Sequence, residues 1–67
     1  MAKTQDVLDK IPEHVRAKIE RLRKAYKNGY PNWETAMANS SSYCEGLRDS
    51  GLITDRERMI LFIYTTV

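Results

Sequence analysis

The most continuous apolar run in the chain lies near its C-terminus, from Met59 to Tyr64. It follows Thr54 and Glu57, whose spacing is typical of a capping box, in which two side chains satisfy backbone N–H groups at a helix start. This pattern predicts a helix over 55–65. Because consecutive apolar residues point to every side of a helix, we expect it to be covered by the rest of the chain and by another chain.

Apolar residues also recur at helical spacing in the first half of the chain. They predict a helix over 12–27, whose narrow apolar stripe is formed by Val15, Ile19, Leu22 and Tyr26. Pro12 suits the first turn of this helix, because its missing N–H has no partner there in any case. Gly29 suits the end of the helix, because glycine readily adopts a positive φ.

A third helix is predicted over 33–50, with Asn32 as its N-cap. Its apolar stripe consists of Trp33, Met37, Ser40, Cys44 and Leu47. The segment Ser40–Ser42 weakens this prediction, because serine competes for backbone hydrogen bonds inside a helix. Two short helices meeting at the serines are therefore the alternative. The unbroken stripe favours one helix, with Ser40 facing a neighbouring helix.

These segments predict an all-α fold, a single three-helix domain over residues 1–67 with an extra helical turn at Thr4–Lys10. A competing interpretation makes 60–67 a strand, because β-branched and aromatic residues favour strands. No second segment alternates with a period of two, so such a strand would have to pair with another chain. Tyr26, Trp33 and Phe62 are expected in the core, and Tyr30 and Tyr43 partly outside it.

The small size of the chain makes the buried core marginal unless something else stabilises it. The 67 residues include one cysteine, Cys44, and one histidine, His14, which exclude an internal disulfide and a four-ligand zinc site. Oligomerisation remains, and the sequence predicts a homodimer through the C-terminal helix. The residues expected at this dimer or partner interface are Met59, Ile60, Phe62, Ile63 and Tyr64.

No catalytic or cofactor motif is found along the chain, so the protein is expected not to be an enzyme and to need no cofactor or metal. His14 is expected on an exposed helix surface. Cys44 lies on the apolar stripe, beside Glu45, which indicates a small core residue rather than a reactive thiol. The chain lacks an apolar leader and a membrane-spanning stretch, and a lone cysteine suits a reducing compartment, so a cytoplasmic location is expected.

Charge is distributed unevenly along the chain. Residues 10–27 carry seven basic and two acidic side chains, whereas residues 28–67 have a net charge of −2. On a helical wheel, Arg16, Arg23 and Lys27 share one flank of the first long helix and form the predicted nucleic-acid-binding residues. A helix-turn-helix across the serines fits poorly, because the segment that would enter the groove is acidic.

The sequence therefore favours a small cytoplasmic binding or regulatory module that acts through protein–protein interaction. Its expected partners are a second copy of itself and another, unidentified protein. The alternative is a nucleic-acid-binding regulator of transcription or replication that uses the basic helix over 12–27.

Overall fold

The computed structural model describes residues 3–67 and folds them into four helices. Their bounds are α1 Thr4–Lys10, α2 Glu13–Asn28, α3 Trp33–Asp49 and α4 Asp55–Thr65. No strand is present between residues 3 and 67. The all-α prediction is confirmed, and the alternative strand over 60–67 is wrong.

The corner between α2 and α3 is determined by local backbone chemistry. Gly29 has a φ of 65°, and the next amide, that of Tyr30, donates to the Ala25 carbonyl over 2.9 Å. These features end α2 in a left-handed turn that satisfies its last carbonyls. The Asn32 side chain then accepts a hydrogen bond from the Thr35 amide over 2.8 Å, which starts α3 as predicted.

The three serines do not interrupt α3, which is helical from Trp33 to Asp49. Ser40 is fully buried, as is Cys44 one turn later. Both side chains are small, so neighbouring helices can approach α3 closely at these positions. The prediction of one continuous helix with Ser40 facing its neighbours is confirmed.

The N-terminal segment contributes more to the fold than the predicted extra turn. α1 is a two-turn helix that packs against α4, and Val7, Leu8 and Ile11 all belong to the buried core. The predicted count of three helices is therefore wrong. A seven-residue helix is too short to be stable in water by itself, so its sequence signal is weak and its stability comes from packing.

Helix α4 lies at the centre of the fold and packs against each of the other three helices. Its residues Leu61 and Thr65 are fully buried. Around them is one connected cluster of buried side chains, formed by Val7, Leu8, Ile11, Val15, Ile19, Cys44, Leu47, Ile53 and Leu61. The requirement that the apolar C-terminal helix be covered is thus met largely by the chain itself.

Trp33 does not belong to this core, contrary to the sequence prediction. It is 57% exposed, whereas Tyr26 and Phe62 are partly buried. Trp33 is the first residue of α3, and side chains in a helix lean toward its N-terminus. The indole therefore projects beyond the packed region, and the buried stripe of α3 begins at Ala36 instead.

One polar contact ties α1 to the start of α4. The Lys10 ammonium lies 2.8 Å from both carboxylate oxygens of Glu57. Glu57 also accepts from the Thr54 amide, and its own amide donates to the Thr54 hydroxyl, which confirms the predicted capping box. The hydrogen bond from Lys10, with that from the Thr54 amide, lowers the pKa of Glu57.

The buried position of Leu8 leads to a test of whether α1 belongs to the cooperative fold. We expect Leu8→Ala to lower the free energy of unfolding by about 2–5 kcal/mol, because it leaves a cavity against α4. Asp9→Ala, at the next and exposed position, should change it by no more than about 0.5 kcal/mol. Urea denaturation measures the free energy of unfolding of both variants. Equal changes in the two variants would show that α1 is not part of the core.

The lowered pKa of Glu57 leads to a pH-dependent prediction. The ionised Glu57 carboxylate stabilises the folded chain. This contribution to the free energy of unfolding is complete above the ordinary pKa of 4.5, and it is lost as the pH falls through the lowered pKa. Glu57→Gln should therefore destabilise the protein at neutral pH, and its difference from wild type should shrink on acidification. Lys10→Ala should show the same convergence. Urea denaturation between pH 7 and pH 2 measures the difference in unfolding free energy between wild type and each variant. A difference that stays constant over this range would contradict the prediction.

Candidate interaction surfaces

Among residues 3–67, five large hydrophobic side chains are exposed, and they form two groups. Met59, Ile63 and Val67 are 50%, 52% and 82% exposed and follow one another at intervals of four residues. Met59 and Ile63 lie four apart on α4 and so share one side of the helix, and Val67 follows just beyond the helix end; we call these three residues the α4 stripe. The other two, Tyr30 and Trp33, lie at the α2–α3 corner; we call them the aromatic corner.

The α4 stripe begins where the charged part of α4 ends. Asp55 in the first turn accepts from Arg48 over 2.8 Å and from Arg58 over 3.0 Å, and these contacts hold the α3–α4 connection. The hydrogen bond from Arg48, with that from Arg58, lowers the pKa of Asp55. Residues 59–67 then carry no charged side chain. The outward side of α4 is therefore apolar along its last two turns.

The five residues predicted at the interface do not share one surface. Met59 and Ile63 point outward, whereas Ile60 and Phe62 are partly buried and pack against the core. Tyr64 faces α2, where its hydroxyl donates to the Glu20 carboxylate. This hydrogen bond, together with burial, raises the pKa of Tyr64.

Two of the three basic residues on the predicted flank of α2 contact other parts of the same chain. The Arg23 guanidinium lies over the Tyr64 ring, 4.5 Å from its centroid. Arg16 is positioned to donate to the Leu8 carbonyl over 3.4 Å. Of the three predicted phosphate ligands, Lys27 alone is exposed, and Arg16 and Arg23 are partly buried. A helical wheel places these residues on one flank but does not show that Arg16 reaches the α1 backbone and that Arg23 stacks on α4.

A different set of basic residues faces solvent on the second half of α2. Arg21, Lys24 and Lys27 are exposed at intervals of three residues, leading toward the aromatic corner. Their spacing places them within one side of the helix. Sequence reasoning missed this surface, although the spacing and the two aromatic residues that follow Gly29 were a readable signal.

Cys44 lies in the core and His14 on the surface. Cys44 is fully buried, and burial raises the pKa of its thiol to about 11, because the thiolate loses its contact with water. His14 is exposed on α2. No group of three or more metal-ligating side chains occurs within residues 3–67. Among the helices described, none has the length and apolar character needed to span a membrane.

Comparisons with models of protein families, with curated proteins and with solved structures find no match to this chain.

The burial of Cys44 predicts a poorly reactive thiol. With a pKa raised from 9.0 to about 11, the thiolate fraction at pH 8 should fall roughly 100-fold below that of an ordinary thiol. Reaction of the folded protein with a disulfide reagent, followed by absorbance, should be slower by at least this factor than that of the protein unfolded in guanidinium chloride. Equal rates would contradict the buried position.

Proposed function

We propose that this protein is a small non-enzymatic binding module that works through protein–protein contact, and that its first partner is a second copy of itself. The observation that supports this proposal is the α4 stripe. Exposed apolar side chains are ordinary when they are scattered, but a line of them without charges is typical of an interaction site.

The free energy available from covering the stripe is substantial for a chain of this size. Full burial of a side chain such as Ile63 stabilises by about 1.5–3 kcal/mol. Met59 and Ile63 are each about half exposed, so covering the remaining half contributes on the order of 1 kcal/mol per side chain. In a symmetric dimer both copies bury the same side chains, so the free energy gained from each side chain is counted twice.

A two-fold axis suits the geometry of this surface. In such a dimer the same patch is used by both copies, so an apolar line needs only another apolar line as its complement. Two α4 helices crossing at Met59 and Ile63 would bring no like charges together. A standard interface covers about 800 Å² of each partner, close to a fifth of the 4477 Å² exposed by one chain. Residues around the α4 stripe therefore have to take part as well.

The proposed biological role is regulation by binding in the cytoplasm, with an unidentified protein as the second partner. The buried, unpaired thiol of Cys44 is compatible with a reducing compartment. In this proposal the module acts by occupying or assembling its partners. Nucleic-acid binding through Arg16, Arg23 and Lys27 is the weaker alternative, because Arg16 and Arg23 already contact α1 and α4.

The dimer is tested by placing a charge in the α4 stripe. We expect Ile63→Glu to weaken self-association at least 100-fold, because an unpaired carboxylate would be buried at the two-fold contact. The fold should survive, since Ile63 is half exposed within one chain. Sedimentation equilibrium over micromolar to millimolar concentrations measures the association, and circular dichroism checks the helices.

Ala17→Glu is the matched control, because it adds the same charge at an exposed position on α2. It should leave self-association unchanged. A wild-type protein that sediments as a folded monomer throughout the concentration range would refute the dimer, and the stripe would then belong to a different protein partner.

A further inference from the structure

Both rings of the aromatic corner are exposed to solvent, although nothing in the packing of the fold requires it. Tyr30 is 72% exposed and Trp33 57% exposed. The backbone around them is nevertheless well held, by the Tyr30 amide bond to Ala25 and by the Asn32 cap of α3. The rings therefore project from a rigid turn, which limits the entropy lost when they bind something.

Basic side chains outnumber acidic ones around this corner. Residues 21–34 contain four basic side chains and one acidic one, Glu34. Lys24 and Lys27 are exposed, and neither forms an ion pair with any residue in the described part of the chain. The nearest acidic residue on α2, Glu20, lies one turn before Lys24 and accepts a hydrogen bond from the Tyr64 hydroxyl, so its carboxylate remains negative. The exposed lysines are nevertheless available to an anionic partner.

The two rings and Lys27 belong to one short stretch of chain. Lys27 precedes Tyr30 by three residues and Tyr30 precedes Trp33 by three, and three residues of extended chain span at most about 11 Å. Gly29, with its positive φ, ends α2 between Lys27 and Tyr30. A ligand that meets all of them must combine flat apolar faces with regularly spaced negative charges.

We propose that the aromatic corner, with Lys24 and Lys27, binds single-stranded nucleic acid. Unpaired bases stack on Tyr30 and Trp33, and the adjoining phosphates contact the two lysines. A duplex keeps its base faces stacked inside, so it would engage the lysines alone. An anionic membrane fits less well, because the exposed aliphatic side chains that would enter its interface lie on α4 and not at this corner.

The proposal does not depend on dimerisation, since the corner and the α4 stripe share no residue. Ile63→Glu should therefore bind the oligonucleotide through the corner as the wild type does. This separates a failure of the dimer from a failure of the nucleic-acid site.

The test uses fluorescein-labelled 12-mers of oligo-dT and oligo-U, titrated with the full chain at 50 mM salt and followed by anisotropy. Trp33 is the only tryptophan, so quenching of its emission reports stacking at the corner itself. We expect saturable binding with quenching of Trp33, and tighter binding than to a duplex of the same length. Tyr30→Ala should weaken binding roughly 5- to 100-fold, and Tyr30→Phe should retain it because the ring remains.

Variants that remove one positive charge distinguish oligonucleotide binding at this corner from general electrostatic attraction to the protein. Lys27→Ala should weaken binding and reduce the slope of log affinity against log salt by about 0.7, the value for one phosphate on a single strand. Arg56→Ala removes the same charge at an exposed position at the start of α4. It should leave both the affinity and the salt slope unchanged.

Three results would overturn the proposal. One is equal weakening by Lys27→Ala and Arg56→Ala, and another is a duplex bound as tightly as the single strands. The third is absence of oligonucleotide binding at 50 mM salt. Binding to phosphatidylserine vesicles instead would assign the corner to a membrane surface.

Discussion

The burial of one side of α4 is the constraint on which the rest of the structure depends. Leu61 and Thr65 are fully enclosed because α1, α2 and α3 all pack around this one helix. The capping box at Thr54 and the pair between Lys10 and Glu57 fix where α4 begins and how α1 meets it. In a chain of 67 residues, no second core exists to compensate if this packing fails.

Much of the fold was predictable because the signals were local. The Asn32 cap, the turn at Gly29 and the capping box at Thr54 each require only neighbouring residues, and each is present as expected. The continuity of α3 through Ser40–Ser42 followed from the apolar stripe, which is also a property of one segment. Such features depend on periodicity and backbone chemistry rather than on what packs against them.

The errors arose where long-range packing decides the outcome. α1 was underestimated because a helix of this length is stabilised by its neighbour and not by its own sequence. Trp33 was assigned to the core because its position matched the stripe, although the first residue of a helix can project beyond the packed region. Arg23 and Tyr64 were assigned to two separate surfaces, whereas they stack on each other. That contact joins residues 41 positions apart, and neither segment carries a sign of it.

The packing of α4 also explains why two distinct surfaces remain. Three helices cover most of α4, but the line through Met59 and Ile63 lies on its outer side. The aromatic corner is separate from that line and combines rings with free lysines, so it suits a different ligand. One surface is uncharged and the other carries exposed lysines, so the two proposed partners would not compete for the same residues.

We propose that a second copy of the chain covers the outer side of α4. Isotope-filtered nuclear Overhauser spectroscopy tests it directly, on a millimolar mixture of labelled and unlabelled chains. The proposed two-fold contact predicts intermolecular cross-peaks between the methyl groups of Met59 and Ile63. Intact signals from a folded protein without any cross-peak between chains at these residues would contradict it.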